Sequence, residues 1–245
     1  MFSTTALTII LATQSGQISR LPAQPVDNLS GLLLSQNLNS VEPPMSLAIL
    51  LDRIRPIPVF VVADAKGNPI FATQQNLKVI PLFFNIEEAR GFLPGLIKSS
   101  GVNNLKIFVA SLADFYGKSG YKFEYIGAEF EKSFALTLIQ KSSPKETEFK
   151  GVPVFFLVEP SGNYLTVSEQ NTNRVPIFFS SVDAENLKKE AGKISNSMNK
   201  LTVKATSFES IVEILVTKPA KTTMSFKFLP HPESLRKAAE ILQTK

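Results

Sequence analysis

Two stretches of this chain lie ninety-five residues apart and follow one pattern, and that duplication restricts the fold more than any other feature. Pro58 to Ala89, "PVFVVADAKGNPIFATQQNLKVIPLFFNIEEA", aligns without a gap on Pro153 to Ala184, "PVFFLVEPSGNYLTVSEQNTNRVPIFFSSVDA". Eleven of the thirty-two columns are identical, where average residue usage would give roughly two. With one inserted residue "NNLKIFVASLADFY" continues against "NKLTVKATSFESIV", and after a larger slip "FEYIGAEFEKSFALTLIQ" continues against "FKFLPHPESLRKAAEILQ". A repeat this long forms separate packed units or pairs about a pseudo-two-fold axis, unlike the short periods of solenoids.

Each copy opens on β-branched and aromatic residues, "PVFVVA" or "PVFFLV". Gly67 and Gly162 follow where a turn needs positive φ, so each copy is expected to turn back as a hairpin into "PIFATQ" or "YLTVSE". "VIPLFF" and "RVPIFF" predict a third strand, and Asn85 with Glu88, or Ser180 with Asp183, a capped helix start. Ala89, Phe92, Leu93, Leu96 and Ile97 recur at three and four, as do Ala184, Leu187, Ala191 and Ile194, so one helix face should pack on a sheet. A strand, a short helix opened by Ser111 or Ser207, another strand and a last helix complete the unit. The expected class is α+β: two copies of a β-β-β-α-β-α-β-α unit related by pseudo-two-fold symmetry, with an antiparallel or mixed sheet in each half. The divisions are 1–55, an N-terminal segment whose Met45–Ile54 stretch is a short helix stopped by Pro56 and Pro58; 56–145, the first repeat; and 146–245, the second, joined by the polar linker "KSSPKETEFKG".

Function classes can be narrowed by what the chain contains. At 245 residues and 44% hydrophobic content it can bury a full core without metals or disulfides. Cysteine is absent, there is one histidine, and no glycine-rich phosphate loop or calcium loop is present. His231, between two prolines, reads as a helix-entry residue, so no catalytic residue, cofactor or metal is expected. The net charge of +5 could suggest nucleic acid. Its densest groups, "LKKEAGK" and "ESLRKAA", instead mix acids and alanines at helical spacing and read as solvated helix faces, so no nucleic-acid partner is expected. No apolar run reaches the eighteen or so residues of a membrane span, and the N-terminus is a poor signal peptide, so the chain reads as mature or trimmed.

Nineteen phenylalanines and no tryptophan leave the aromatic pairs as the most prominent chemistry. Adjacent residues on a strand point to opposite faces, so Phe83 and Phe84, like Phe178 and Phe179, divide between two sides of their sheets. If helices cover one side only, one ring of each pair looks outward; if both sides are covered, all four are core. On the first alternative Leu82, Phe83, Phe84, Ile177, Phe178 and Phe179 are the candidate residues of an apolar binding face, to be covered by the other half, the leader or a partner.

"PIPVF" and "GVPVF", the Gly-Asn turns, "VIPLFF" and "RVPIFF" before acidic helix starts, and "FKFLPHPESLRKA" resemble the twenty-two-kilodalton subunit family of the chloroplast inner-envelope translocon (Tic complex), in its cyanobacterial branch. The likeness covers Ile57 to Lys245, and "GAEFEKS" at Gly127 departs from the family's usual helix entry. The resemblance implies a non-enzymatic, chaperone-like protein without cofactors, placed in the cyanobacterial periplasm or the plastid intermembrane space. Its implied partners are unfolded preproteins or outer-membrane proteins and an outer-membrane β-barrel assembly or translocon protein, with peripheral membrane contact an option. We expect a monomer. The alternative is a structural adaptor docking a folded envelope protein.

Overall fold

The computed structural model describes residues 43–243 apart from 75, 76, 119, 120, 170 and 224, so expectations about the leader before Pro43 lie outside the described residues. Helix α1 (Leu47–Ile54) starts at Ser46, whose hydroxyl accepts from Ile49 N, and stops before Pro56. The first sheet holds β1 (Pro58–Ala63), β2 (Ala72–Gln74), β3 (Leu77–Phe83), β4 (Lys106–Ser111) and β5 (Lys122–Ile126). The second holds β6 (Pro153–Val158), β7 (Val167–Glu169), β8 (Thr172–Phe178), β9 (Thr202–Ser207) and β10 (Phe226–Leu229). Helices α2 (Ile86–Ser100) and α3 (Glu129–Gln140) belong to the first stretch of chain; α4 (Ser181–Ile194), α5 (Phe208–Thr217), α6 (Ala220–Thr223) and α7 (Pro232–Gln243) belong to the second.

Both sheets are mixed and wired alike. In the first, β1 runs antiparallel to β4 (Val61↔Phe108) and meets β3 at Phe60↔Phe83, while β5 joins β3 in parallel (Leu82↔Tyr125). In the second, β6 pairs β9 (Phe156↔Lys204), meets β8 at Phe155↔Phe178, and β10 joins β8 in parallel (Ile177↔Phe228). Gly67 and Gly162 take φ of 85° and 88°, as their turns require. The hairpins they form are shorter than the sequence suggests. Each closes with a single bridge, Ala63↔Pro69 or Val158↔Tyr164, after which β2 and β7 pair with β3 and β8 instead. The units also differ in detail. Ser111 opens only the 3₁₀ turn Leu112–Asp114, whereas Ser207 opens the ten-residue α5, and the second unit adds α6 and a 3₁₀ turn at Asn196–Lys200.

The last helix of each unit packs on the other unit's sheet. Helix α3 leaves β5 and lies against β6 and β9, with Ala135 buried among Phe155, Leu157 and Val203. Helix α7 leaves β10 and lies against β1 and β4, with Ala238 buried among Phe60, Val62 and Phe83. Ser234 Oγ on α7 donates to Phe84 O (2.8 Å), and Ser181 N donates to the buried Glu131 carboxylate on α3 (3.0 Å), so the two crossings are tethered at corresponding places. The other face of each sheet feeds one shared core with α1 and α5, in which Phe84 stacks on Phe179 at 5.4 Å and Phe208 meets both.

Candidate binding groove

The six candidate residues are all interior. Leu82, Phe83 and Ile177 are fully buried, and Phe84, Phe178 and Phe179 nearly so. Alternation along the strand is as expected. Phe83 and Phe178 face the helices α2 with α7 and α3 with α4, while Leu82, Phe84, Ile177 and Phe179 face the shared core. An outward ring required one bare sheet face, and the exchanged helices together with the shared core leave none. On the folded chain these six side chains are therefore core groups and not surface groups.

Two surface sites among the described residues combine a concavity with exposed apolar groups. The first is a groove of about 300 Å³ between β5 and α5, lined by Tyr116, Tyr125, Phe208, Val212 and Val216 with Glu209 and Glu213 on the α5 side. The sequence builds this wall simply. Phe208, Val212 and Leu215 recur at helical spacing and anchor α5 to the core, which brings Glu209, Glu213 and Val216 to the rim. Val216 is 38% exposed. Tyr125 stands edge-on to Phe208 at 6.3 Å and to Phe84 at 6.2 Å, joining the groove floor to the shared core. Burial pushes the Tyr125 hydroxyl up to about 12, helped by Tyr116 and by the Glu209 charge, so the phenol stays a neutral donor. Burial likewise raises Tyr116.

The two carboxylates differ. Glu209 caps the start of β6, accepting from Val152 N at 3.1 and 3.3 Å; burial raises its pKa, opposed by its own backbone N–H, by that of Val152 and by Lys132. Glu213 is exposed and free of ion pairs among the described residues. Beyond the groove an aromatic file continues: Phe115 meets Phe123 at 5.6 Å, Phe123 meets Tyr121 at 6.3 Å, and Tyr121 stacks on Phe71 at 5.9 Å with both rings largely exposed. Sequence reasoning missed this site, although "FYGKSGYKFEY" concentrates three of the chain's four tyrosines within ten residues.

The second place is where α3, α4 and α7 begin. Exposed Phe130 stands edge-on to His231 at 6.0 Å, with Val182 and Leu235 on the neighbouring helix starts. Beneath them a narrow crevice is lined by Phe84, Asn85, Glu131, Phe179 and His231. His231 Nδ1 accepts from Glu233 N (3.2 Å), the helix-entry role read from its flanking prolines, and its Nε2 lies 3.8 Å from Glu131. Burial holds His231 below the ordinary histidine range and pushes Glu131 up. The start of α3 at "GAEFEKS" has no side-chain cap of its own: Glu88 of α2 accepts from Glu129 N at 3.0 Å, so Glu88 serves the neighbouring helix rather than its own box with Asn85. The basic groups are solvated helix faces, with Lys193–Glu190 (2.6 Å) and Lys237–Glu240 (3.1 Å) pairs. No described helix is long and apolar enough to cross a membrane.

Comparison with known proteins gives the fold a context. Among curated proteins no sequence matches. The chain is similar to the solved structure of Anabaena Tic22, described as a protein-transport protein, at 21% identity and a TM-score of 0.68, over 82% of this chain and 98% of that one. It is also similar to Tic22 from Plasmodium falciparum at 19% identity and a TM-score of 0.65, over 80% and 98%. Both likenesses concern the mixed α+β fold. The sequence itself matches the model of the Tic22-like family across residues 17–222, and the chain belongs to that family.

Proposed function

We propose that this chain is a non-enzymatic, chaperone-like escort that holds apolar segments of unfolded preproteins or outer-membrane proteins between two envelope membranes. Family membership and a protein-transport structural neighbour support a role in translocation. The observation that carries the escort reading is the groove between β5 and α5 with its apolar floor, together with the exposed, stacked rings of Tyr121 and Phe71. Apolar surface of that kind gains roughly 25 cal/mol per Å² on covering and makes no demand for a poised nucleophile. On this reading the site of action is the cyanobacterial periplasm or plastid intermembrane space, the working form is a monomer, and an outer-membrane β-barrel assembly or translocon protein is the handover partner. Residues 56–145 and 146–245 are copies related by a pseudo-two-fold rotation, an arrangement supported by the common strand wiring and by the stack of Phe84 on its counterpart Phe179.

The test is suppression of aggregation of an unfolded outer-membrane barrel by the full chain at equimolar ratio, repeated with Val216→Asp, which places a charge on the groove rim beside the untouched core residue Leu215. Protection by the native chain and its loss in the variant support the escort. A second reading is favoured by the complete burial of the repeated phenylalanines and by the exposed Phe130, Val182 and Leu235: a structural adaptor that docks one folded partner. Absence of protection together with tight binding to a folded envelope protein would select it.

A further inference from the structure

The two sheets are wired alike, but among the described residues the space beside their parallel edge strands is filled on one side only. On the second sheet's side α1 lies between β10 and the Leu112–Asp114 turn, burying Leu50 and Ile54 in the shared core. Its Arg53 guanidinium donates to Thr223 O (3.1 Å) and Phe226 O (2.8 Å). By position in the sheets β10 corresponds to β5, and by sequence the Leu112–Asp114 turn corresponds to α5. The counterpart of the α1 seat is therefore the space between β5 and α5, which is the open groove. Even the acceptor corresponds. Phe226 lies opposite Val175 in β8, Phe123 lies opposite Ile80 in β3, and Val175 and Ile80 are equivalent positions of the repeat, so Phe123 O stands where Phe226 O receives Arg53. Among the described residues strand β5 pairs only with β3.

The molecule thus carries its own example of what fits such a seat, a two-turn amphipathic helix with apolar residues at i and i+4 and a basic residue beside them. The empty seat adds an electrostatic preference. Among the described residues its polar lining is Glu209, Glu213 and two tyrosines, with no basic side chain in the lining itself; Lys132 and Val152 N engage Glu209, which leaves Glu213 as the free charge at the rim, in a chain whose net charge is +5. We propose that the groove binds short amphipathic helical segments of partner proteins that carry a lysine or arginine next to their apolar anchors, in the manner of α1 on the opposite side. The proposal rests on the reading that this groove holds client segments, and it names their class. Apolar anchors at i, i+3 or i+4 enter the cleft between Tyr125 and Val212, as in other helix-in-groove recognition, and the cation faces Glu213 and the Phe123 carbonyl. A volume of about 300 Å³ accommodates the anchoring side chains while the helix backbone lies across the rim.

The experiment uses the full chain and a fluorescent peptide copying residues 44–56, "PMSLAILLDRIRP", followed by anisotropy. The peptide should bind, a version with glutamate in place of its two arginines should bind about tenfold more weakly, and a scrambled peptide of equal composition should not compete. Glu213→Lys and Val216→Asp in the protein should each weaken binding at least about tenfold. Equal binding of the scrambled peptide, indifference to charge reversal, or binding unaffected by both groove variants, which would mean exchange into the α1 seat, each overturns the proposal. The outcome is separable from that of the escort: protection of a barrel client without peptide binding refutes the helix class alone, and peptide binding without protection refutes the escort alone.

Discussion

The repeated phrases Pro81–Phe84 and Pro176–Phe179 make a quantitative demand on stability. Phe83 is fully buried and Phe84 is 7% exposed, on opposite faces of one strand. Moving a phenylalanine side chain from water into a core contributes about 1.5–3 kcal/mol, and the cavity left by truncation brings the usual loss for Phe→Ala to about 3–5 kcal/mol. Phe84 also meets Phe179, Phe208 and Tyr125 at 5.4, 5.8 and 6.2 Å, and each favourable aromatic pair adds about 0.5–1.5 kcal/mol. Phe84→Ala should therefore fall at the upper end of the range, and Phe83→Ala no lower than about 3 kcal/mol, with Phe178→Ala and Phe179→Ala matching their counterparts. Because domains hold about 5–15 kcal/mol in all, coupling across the stack is better measured with Phe84→Leu, Phe179→Leu and the double variant, where a non-additivity of about 0.5–1.5 kcal/mol is expected. Urea melts followed by circular dichroism supply these values. A loss below about 1 kcal/mol for any of the four alanine variants, with weakened client binding, would mean that ring is a surface group and would refute the two-sided burial argued above.

Four further outcomes follow from particular contacts. Gly127→Ala should lower stability by about 1–3 kcal/mol, because its new methyl would sit 2.8 Å from Pro153 Cδ and 3.2 Å from Val152 Cα at the start of the second sheet; an unchanged melting temperature would contradict that close approach. Ser234→Ala should cost about 1–3 kcal/mol by stranding the buried Phe84 carbonyl, readable in the same melts. Burial raises Glu131, so its contribution to stability is fully present below the ordinary glutamate range and is lost as pH rises through the raised value; Glu131→Gln should gain on the native chain from pH 4 towards 7, and a pH-independent difference would refute it. Burial lowers His231, so it favours folding above the ordinary histidine range and loses that contribution as pH falls; His231→Ala should flatten the acid side of the profile while leaving client protection intact.

Local signals carried far in this chain. The positive φ of Gly67 and Gly162, the hydroxyl caps of Ser111 and Ser207 and the stop of α1 before Pro56 are decided within a few residues, and they read directly. Stripe width was less legible. Phe92 and Ile194 continue the apolar spacing yet are 48% and 63% exposed: Phe92 sits at the edge of its stripe with its ring tilted on Phe83 at 5.1 Å, and Ile194 is the last residue of α4. The destinations of α3 and α7 could not be read at all: a 3.6-residue period says that a helix has a buried face and is silent on which sheet receives it. For the same reason alternation placed Phe83 and Phe84 on opposite faces without revealing that both faces are covered. The groove joins Tyr116 and Tyr125 to residues about ninety positions onward, and only the concentration of tyrosines hinted at it.

Helix exchange also has a temporal consequence. Synthesis proceeds from the N-terminus, yet the outer face of the first sheet, with Phe60, Val62 and Val109, is covered by α2 together with α7, whose Ala238 is made 178 residues after Phe60. The first sheet therefore cannot complete its core until α7 has been made, and its closure joins residues separated by 178 positions, Phe60 and Ala238, a contact of the kind that slows folding. Any nascent or truncated chain that ends before Pro232 leaves the part of that face beyond α2 uncovered, so the twelve-residue α7 acts as a completion signal for a sheet laid down long before it.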